Sequence, residues 1–156
     1  MKTTYAILLI FLLALTSTVS GQTAKEYYER GNAKIKLEDN AGAIADFTKA
    51  IEIDTNYIDA YSARGIAKKN LNDFTGARLD FKKIIEIVTK AIEIDPQNTI
   101  NYKIRGSIKI VLALMETLNR NFIVGKELSV SGCLDFTKAA ELGDNEANDL
   151  IKYYCW

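Results

Sequence analysis

The sequence predicts an all-α chain, an array of helical hairpins that stack into a superhelix and end on one capping helix. Three observations predict it. Tyr27-x-x-Arg30-Gly31-x-x-Lys34 recurs 34 residues later as Tyr61-x-x-Arg64-Gly65-x-x-Lys68, and 41 residues after that as Tyr102-x-x-Arg105-Gly106-x-x-Lys109. Ala43-x-x-Asp46-Phe47 recurs after 34 residues as Ala77-x-x-Asp80-Phe81, and the run 48–54 (TKAIEID) reappears unchanged at 89–95. Inside these repeats the apolar residues fall at helical spacing, the longest run being Ile104, Ile108, Val111, Leu112, Met115 and Leu118.

Residues 1–20 stand apart from the array. Lys2 is followed by an eleven-residue apolar run, Tyr5 to Leu15, and then by the small polar stretch Thr16 to Gly21. This is the order of a secretory signal peptide, with cleavage expected before Gly21 or Gln22. A spanning helix needs ~20 apolar residues, so the run is short for an anchor. An uncleaved N-terminal anchor is the alternative. Cleavage removes only Lys2 among charged residues and leaves 19 basic against 20 acidic, a formal charge of −1. No other apolar run approaches membrane length, so no span is expected after cleavage.

In the first hairpin an A helix is expected over about 24–37 and a B helix over about 41–53, with Asp39-Asn40 turning the chain. Gly31 and Ala43 are small enough for the two helices to approach closely, and Tyr27 and Phe47 fill the space beside that contact. The second A helix is expected over about 58–70, and Asn72-Asp73 is a good N-cap pair for the next B helix. Asp95-Pro96 ends that helix, because proline lacks the N–H and disfavours a helical residue before it.

Within this B helix, Lys83-x-Ile85-Glu86-Ile87 is repeated seven residues on as Lys90-x-Ile92-Glu93-Ile94. A duplicated heptad adds two turns and keeps the apolar face in line. The third A helix, starting near Thr99, also reads as long, to about Arg120. Together these two helices are expected to form a hairpin that overhangs the normal repeat. Residues 121–132 are expected to replace the usual short turn with a loop. Between Gly106 and Phe136 the third repeat carries 14 more residues than the 34-residue pattern. Asp135 to Ala139 then copies Asp46 to Ala50 as the run Asp-Phe-Thr-Lys-Ala. After Gly143-Asp144 a last helix, about 145–155, places Ala147, Leu150, Ile151 and Tyr154 on one face and is the natural cap for the open end of the stack.

A 34-residue period of two amphipathic helices resembles the tetratricopeptide repeat family. The resemblance rests on Tyr27, Gly31, Ala43, Phe47 and Ala50, then on Tyr61, Gly65, Ala77 and Phe81; Ile84 departs from the small residue usual at the last offset. It covers about 24–144. The chain then divides into a signal peptide (1–20) and a repeat domain (21–156), with repeats at about 24–57, 58–98 and 99–144 and a cap at 145–155. The resemblance implies a protein-interaction module whose A helices line a concave groove, and the signal peptide adds that the protein is exported and bacterial-type, in the periplasm or outside the cell. The groove positions are Lys25, Tyr28, Asn32, Ile35 and Lys36, then Asp59, Ser62, Ile66, Lys69 and Asn70, then Ile100, Lys103, Ser107, Ile110 and Val111. This mixture suits an extended peptide with some acidic character. The family's clamp for a chaperone-tail carboxylate is disfavoured: Asn32 fits it, but Tyr28, Ala63 and Ile104 do not.

Composition narrows the remaining chemistry. The chain has 156 residues, 20 Lys plus Arg against 20 Asp plus Glu, one proline, two cysteines and no histidine. Without histidine there is no Ser-His-Asp or Cys-His pair, no imidazole metal ligand and no acid/base group titrating near neutrality. There is no glycine-rich phosphate loop, nucleophile elbow or calcium-loop spacing. The expectation is a non-enzyme without catalytic residues, cofactor or metal. A balanced charge gives no whole-chain support for nucleic-acid binding.

Arg30, Arg64 and Arg105 recur with Asp46, Asp80 and Asp135, which suggests ion pairs repeated along the stack; the alternative is a basic ladder for an acidic ligand. Cys133 lies ten residues before Gly143 and Cys155 twelve after it, so an antiparallel pair of helices brings them level, as a disulfide requires. An exported chain with an even cysteine count favours that bridge, against two buried free thiols. The functional expectation is peptide or partner-helix docking in the groove by a monomer or homodimer. A structural accessory subunit, or a homodimer built on the long hairpin 74–120, is the alternative.

Overall fold

The computed structural model describes residues 22–155; the expected signal peptide lies outside the described residues. Among these there are seven helices and no strand: α1 (Ala24–Lys36), α2 (Asn40–Ile53), α3 (Ile58–Asn70), α4 (Phe74–Ile94), α5 (Thr99–Leu118), α6 (Phe122–Glu141) and α7 (Asn145–Tyr154). Consecutive helices pack antiparallel, and the pairs α1–α2, α3–α4 and α5–α6 are the three hairpins of a helical-hairpin superhelix. None of the described helices is long and apolar enough to cross a membrane.

Capping chemistry sets the helix starts. Thr23 and Glu26 form a reciprocal capping box at α1. Asp39 and Asp73 accept the backbone N–H of Gly42 and Gly76 at 2.8 Å, and Asp144 accepts that of Ala147 at 3.3 Å. The turn inside every hairpin has the same form. Glu38, Asn72 and Arg120 take φ of 61°, 63° and 62°, and the next residue, Asp39, Asp73 or Asn121, opens the following helix.

The third turn corrects one expectation. Residues 121–132 are not a loop: α6 begins at Phe122 and runs unbroken to Glu141. The 14 additional residues divide into seven before the turn and seven after it, two helical turns on each side. Seven residues keep each apolar face in register, so Gly125, Leu128, Gly132 and Phe136 face α5 along one stripe.

The register of α5 shows where the long hairpin overhangs. Arg64 Nη1 donates to Thr48 Oγ1 at 3.0 Å, and Arg105 Nη1 to Thr89 Oγ1 at 3.3 Å, so α5 starts beside the end of α4 as α3 starts beside the end of α2. The heptad in α4 thus displaces α5 by two turns, ~10 Å at 1.5 Å per residue. The equal lengthening of α5 brings its far end back level with the turn at 71–73. Asn72, Phe74 and Arg78 there share a hollow with Met115, Leu118 and Asn119, and Arg78 Nη1 donates to the buried Glu116 carboxylate at 2.8 Å. The long α4–α5 hairpin therefore overhangs the shorter repeats at its own turn, around 95–98, while its open end stays level with the turn at 71–73.

The core runs through the stack as small residues facing rings. Phe47, Phe81 and Phe136 are buried against Gly31, Gly65 and Gly106. A Cβ on Gly31 would lie 2.5 Å from the Phe47 ring, and one on Gly106 would lie 2.6 Å from the Phe136 ring. These rings occupy space that only a glycine leaves. Buried Ala43, Ala50, Ala60, Ala67, Ala77, Ala139 and Ala147 hold the neighbouring helices close.

Candidate functional site

Each recurring aspartate is gripped by both basic residues of the Tyr-x-x-Arg-Gly-x-x-Lys motif. Arg30 Nε donates to Asp46 at 2.9 Å and Lys34 Nζ lies 2.8 Å from it; Arg64 and Lys68 hold Asp80 at 2.7 and 2.8 Å; Arg105 and Lys109 hold Asp135 at 2.7 and 2.8 Å. The three carboxylates are buried, and each arginine lies over the tyrosine of its own motif, with ring centroids 4.8, 5.5 and 5.7 Å away. The Arg30 and Lys34 hydrogen bonds hold the Asp46 carboxyl at about 2, below its ordinary range, against the opposing effect of burial. These triads link A to B helices, and the Arg–Thr bonds link one hairpin to the next. They form ion pairs within the fold, as the recurrence of both signs suggested, with two cations to one carboxylate leaving each triad one positive charge in excess. The lysines were not anticipated as partners, although they stand in the same motif.

The A helices α1, α3 and α5 carry the groove positions. Between α3 and α5 a hollow of about 360 Å³ is lined by Ile58, Asp59, Ser62, Ile100, Lys103 and Ser107, with Ile84, Ile104 and Ile108 completing it. Five of the expected groove residues, Asp59, Ser62, Ile100, Lys103 and Ser107, meet there. The wall is mainly isoleucine, with two hydroxyls, one carboxylate and one ammonium on it.

Other expected groove residues have partners within the fold. Lys25 lies 3.7 Å from Glu29 on its own helix. Tyr28 is half-buried, its ring 5.8 Å from Phe47 and 5.2 Å from Tyr57. Asn70 donates to Asn40 Oδ1 at 3.1 Å. Lys103 Nζ binds Asp144 Oδ2 at 2.8 Å and Glu146 Oε2 at 2.9 Å, contacts that hold its pKa up and that of Asp144 down. This lysine fastens the start of α7 to α5. Lys36 and Lys69 are exposed and form no ion pair among the described residues, and Asn32 is half-buried. Lys69 borders a separate hollow at the turn end, about 400 Å³ in volume. Ile110 departs from its expected place: it is buried against Gly132 of α6, because the close α5–α6 crossing draws it inward.

Cys133 and Cys155 come together with Cα atoms 5.7 Å apart, at the end of α7. That separation lies within the range a disulfide spans.

The sequence model described as "TPR repeat" matches residues 31–72, from the middle of α1 to the turn after α3. The fold is that of the tetratricopeptide repeat. Solved structures agree on this repeat architecture. The crystal structure of MamA aligns at TM-score 0.56 and 21% identity over 76% of this chain, which spans 61% of the MamA chain. The N-terminal domain of stress-induced protein-1 (STI-1) from C. elegans aligns at TM-score 0.56 and 18% identity, over 85% of this chain and 94% of that one. The first TPR of Spaghetti (RPAP3), bound to the HSP90 peptide SRMEEVD, aligns at TM-score 0.50 and 19% identity, over 89% and 95%. No curated protein matches by sequence.

Proposed function

We propose that this tetratricopeptide chain is an exported, non-enzymatic docking module that binds an extended peptide or partner helix along α1, α3 and α5. The observation that carries the reading is the isoleucine-walled hollow between α3 and α5, where Ser62 and Ser107 supply polar contacts on an apolar surface. Sites of this composition bind through apolar burial and use a few polar groups to orient the ligand. Exposed Lys36 and Lys69 lie at the C-terminal ends of α1 and α3 and favour acidic residues in one part of the ligand. The peptide-bound Spaghetti domain supports the general mode. Its ligand is not assigned here, because the carboxylate-clamp positions Tyr28, Ala63 and Ile104 do not fit. Export and oxidation of Cys133 with Cys155 belong to the same proposal: the bridge would hold α7 closed beside the groove lysine Lys103.

Filling the hollow tests the reading. Ser62→Trp with Ser107→Trp occupies the apolar space without touching the Arg-Asp-Lys triads. Partners captured from a native extract by the unaltered protein are expected to be lost by this variant at unchanged helicity and Tm. Equal recovery by both forms would reject the hollow as the binding surface.

A further inference from the structure

The outer face of the third hairpin is only half capped. Cys155, at the end of α7, sits beside Cys133, yet α6 continues eleven residues further to Phe122, ~16 Å at 1.5 Å per residue. Above the end of α7, a hollow of about 430 Å³ lies between Ile110, Leu114 and Thr117 of α5 and Phe122, Lys126 and Val130 of α6. Leu114, Phe122, Ile123, Val130, Leu134 and Tyr153 on and around it are between 54% and 80% exposed. Exposed patches on monomers usually stay within ~300–600 Å². Six large side chains, two of them aromatic, gathered on one face are a cluster of the kind that a protein–protein contact covers.

We infer that this face pairs with the same face of a second copy of the chain, α6 against α6 in antiparallel sense about a two-fold axis. Two properties of the segment favour a second copy over another partner. Between Asn121 and Leu134 its only charged residues are Lys126 and Glu127, adjacent and opposite in sign. An antiparallel crossing centred between them sets Lys126 against Glu127 of the second copy. The same centre sets Ile123 against Val130 of the second copy. One register therefore matches charge to opposite charge and apolar to apolar, the self-complementarity an isologous interface requires. Gly125 and Gly132 point inward to α5 and leave the outward ridge to these residues. The surface differs from the 74–120 hairpin of the alternative homodimer, because among the described residues it is α6 and its groove with α5 that nothing covers.

Light scattering on the full chain across micromolar concentrations is the test. A dimer is expected, and a monomer throughout would overturn the inference. Ile123→Asp, at a position 76% exposed, is expected to weaken dimerisation at least ~10-fold, as buried apolar contacts at interface centres do. Ile94→Asp, at an 86% exposed position on α4, is expected to leave it unchanged. The reverse ranking would overturn the proposal. Lys126→Glu and Glu127→Lys are each expected to weaken the dimer several-fold, and the double swap to restore it at unchanged helicity; weakened singles without restoration would refute the register. A monomer that floats with phosphatidylglycerol-containing vesicles would overturn it in favour of a lipid surface.

Discussion

The main-chain oxygens of Gly106 and Gly132 each lie 3.0 Å from the place a Cβ would take on the other residue, so α5 and α6 cross backbone to backbone. At the same offsets the first two hairpins pair Gly31 with Ala43 and Gly65 with Ala77. On Gly65 the new Cβ would stand 3.1 Å from the Phe81 ring and 3.5 Å from the nearest backbone oxygen, a looser fit. Helix propensity alone rewards Gly→Ala by up to ~1 kcal/mol. Overpacking a tight contact costs ~1–3 kcal/mol. Gly106→Ala is therefore expected to lower Tm by several degrees and Gly65→Ala by clearly less. Equal thermal midpoints for the two would show that the third crossing is no tighter than the second.

The Asp46 triad makes a pH prediction. Its carboxyl titrates at about 2 in the folded chain, below its ordinary value of 3.8. A depressed carboxyl stabilises the fold above its unfolded value and loses that contribution as pH falls through the folded one. The difference corresponds to ~2 kcal/mol, present above about pH 4 and fading toward pH 2. Urea midpoints between pH 5 and pH 2 are expected to fall more steeply for the unaltered chain than for Asp46→Asn. That variant should be less stable at pH 5, because it leaves Arg30 and Lys34 without their buried partner. Parallel pH profiles would remove Asp46 from the acid response.

Two fastenings hold α7: Lys103 with Asp144 and Glu146 at its start, and the Cys133–Cys155 contact at its end. Thiol titration of the unfolded protein without reductant is expected to find no free thiol. Reduction should then cost ~3 kcal/mol for a loop of this length. Lys103→Ala is expected to speed amide exchange selectively in α7, and more so after reduction, since each fastening limits the opening the other permits. Two reactive thiols in the unreduced chain would remove the bridge and leave Lys103 as the main tether.

Much of this was legible because the chain repeats. The Arg30–Asp46 pairing and its two copies follow from one motif, and so does the glycine behind each phenylalanine. The segment 121–132 was not legible for a physical reason. Gly125, Ser129, Ser131 and Gly132 are weak helix formers, and Asn121 makes no side-chain cap bond. Those glycines are there for close approach, with a Cβ on Gly125 falling 3.0 Å from the Ala113 oxygen, and only the tertiary contact turns them into helix. The turn itself carried a usable signal: Asn119-Arg120-Asn121 stands seven residues off the position of Leu71-Asn72-Asp73, with Asn in place of the capping Asp. Among groove residues, Ile110 and Lys103 were placed by repeat offset alone. Their burial and ion pairing depend on α6 and α7, which that offset does not describe.

The insertions in α4, α5 and α6 form one compensated set, and this can be tested by deletion. Removing 82–88 joins Phe81 to Thr89 and restores the Asp-Phe-Thr-Lys-Ala run of the first repeat. It also raises α5 by two turns against α3, separating Arg78 from Glu116 and exposing Leu112 and Ala113, both buried in the intact chain. Stranding a buried carboxylate alone costs ~3–5 kcal/mol, so this deletion is expected to unfold the third hairpin, seen as lost helicity and lost protection in α5 and α6. Removing 112–118 and 122–128 as well shortens both helices by two turns about the Asn119–Asn121 turn and regenerates a 34-residue spacing throughout. The triple deletion is expected to recover cooperative unfolding that the single deletion lacks. It should also remove the ridge that carries Ile123 and Lys126. A single deletion as stable as the intact chain would mean that the level ends of α4 and α5 contribute nothing to the stack.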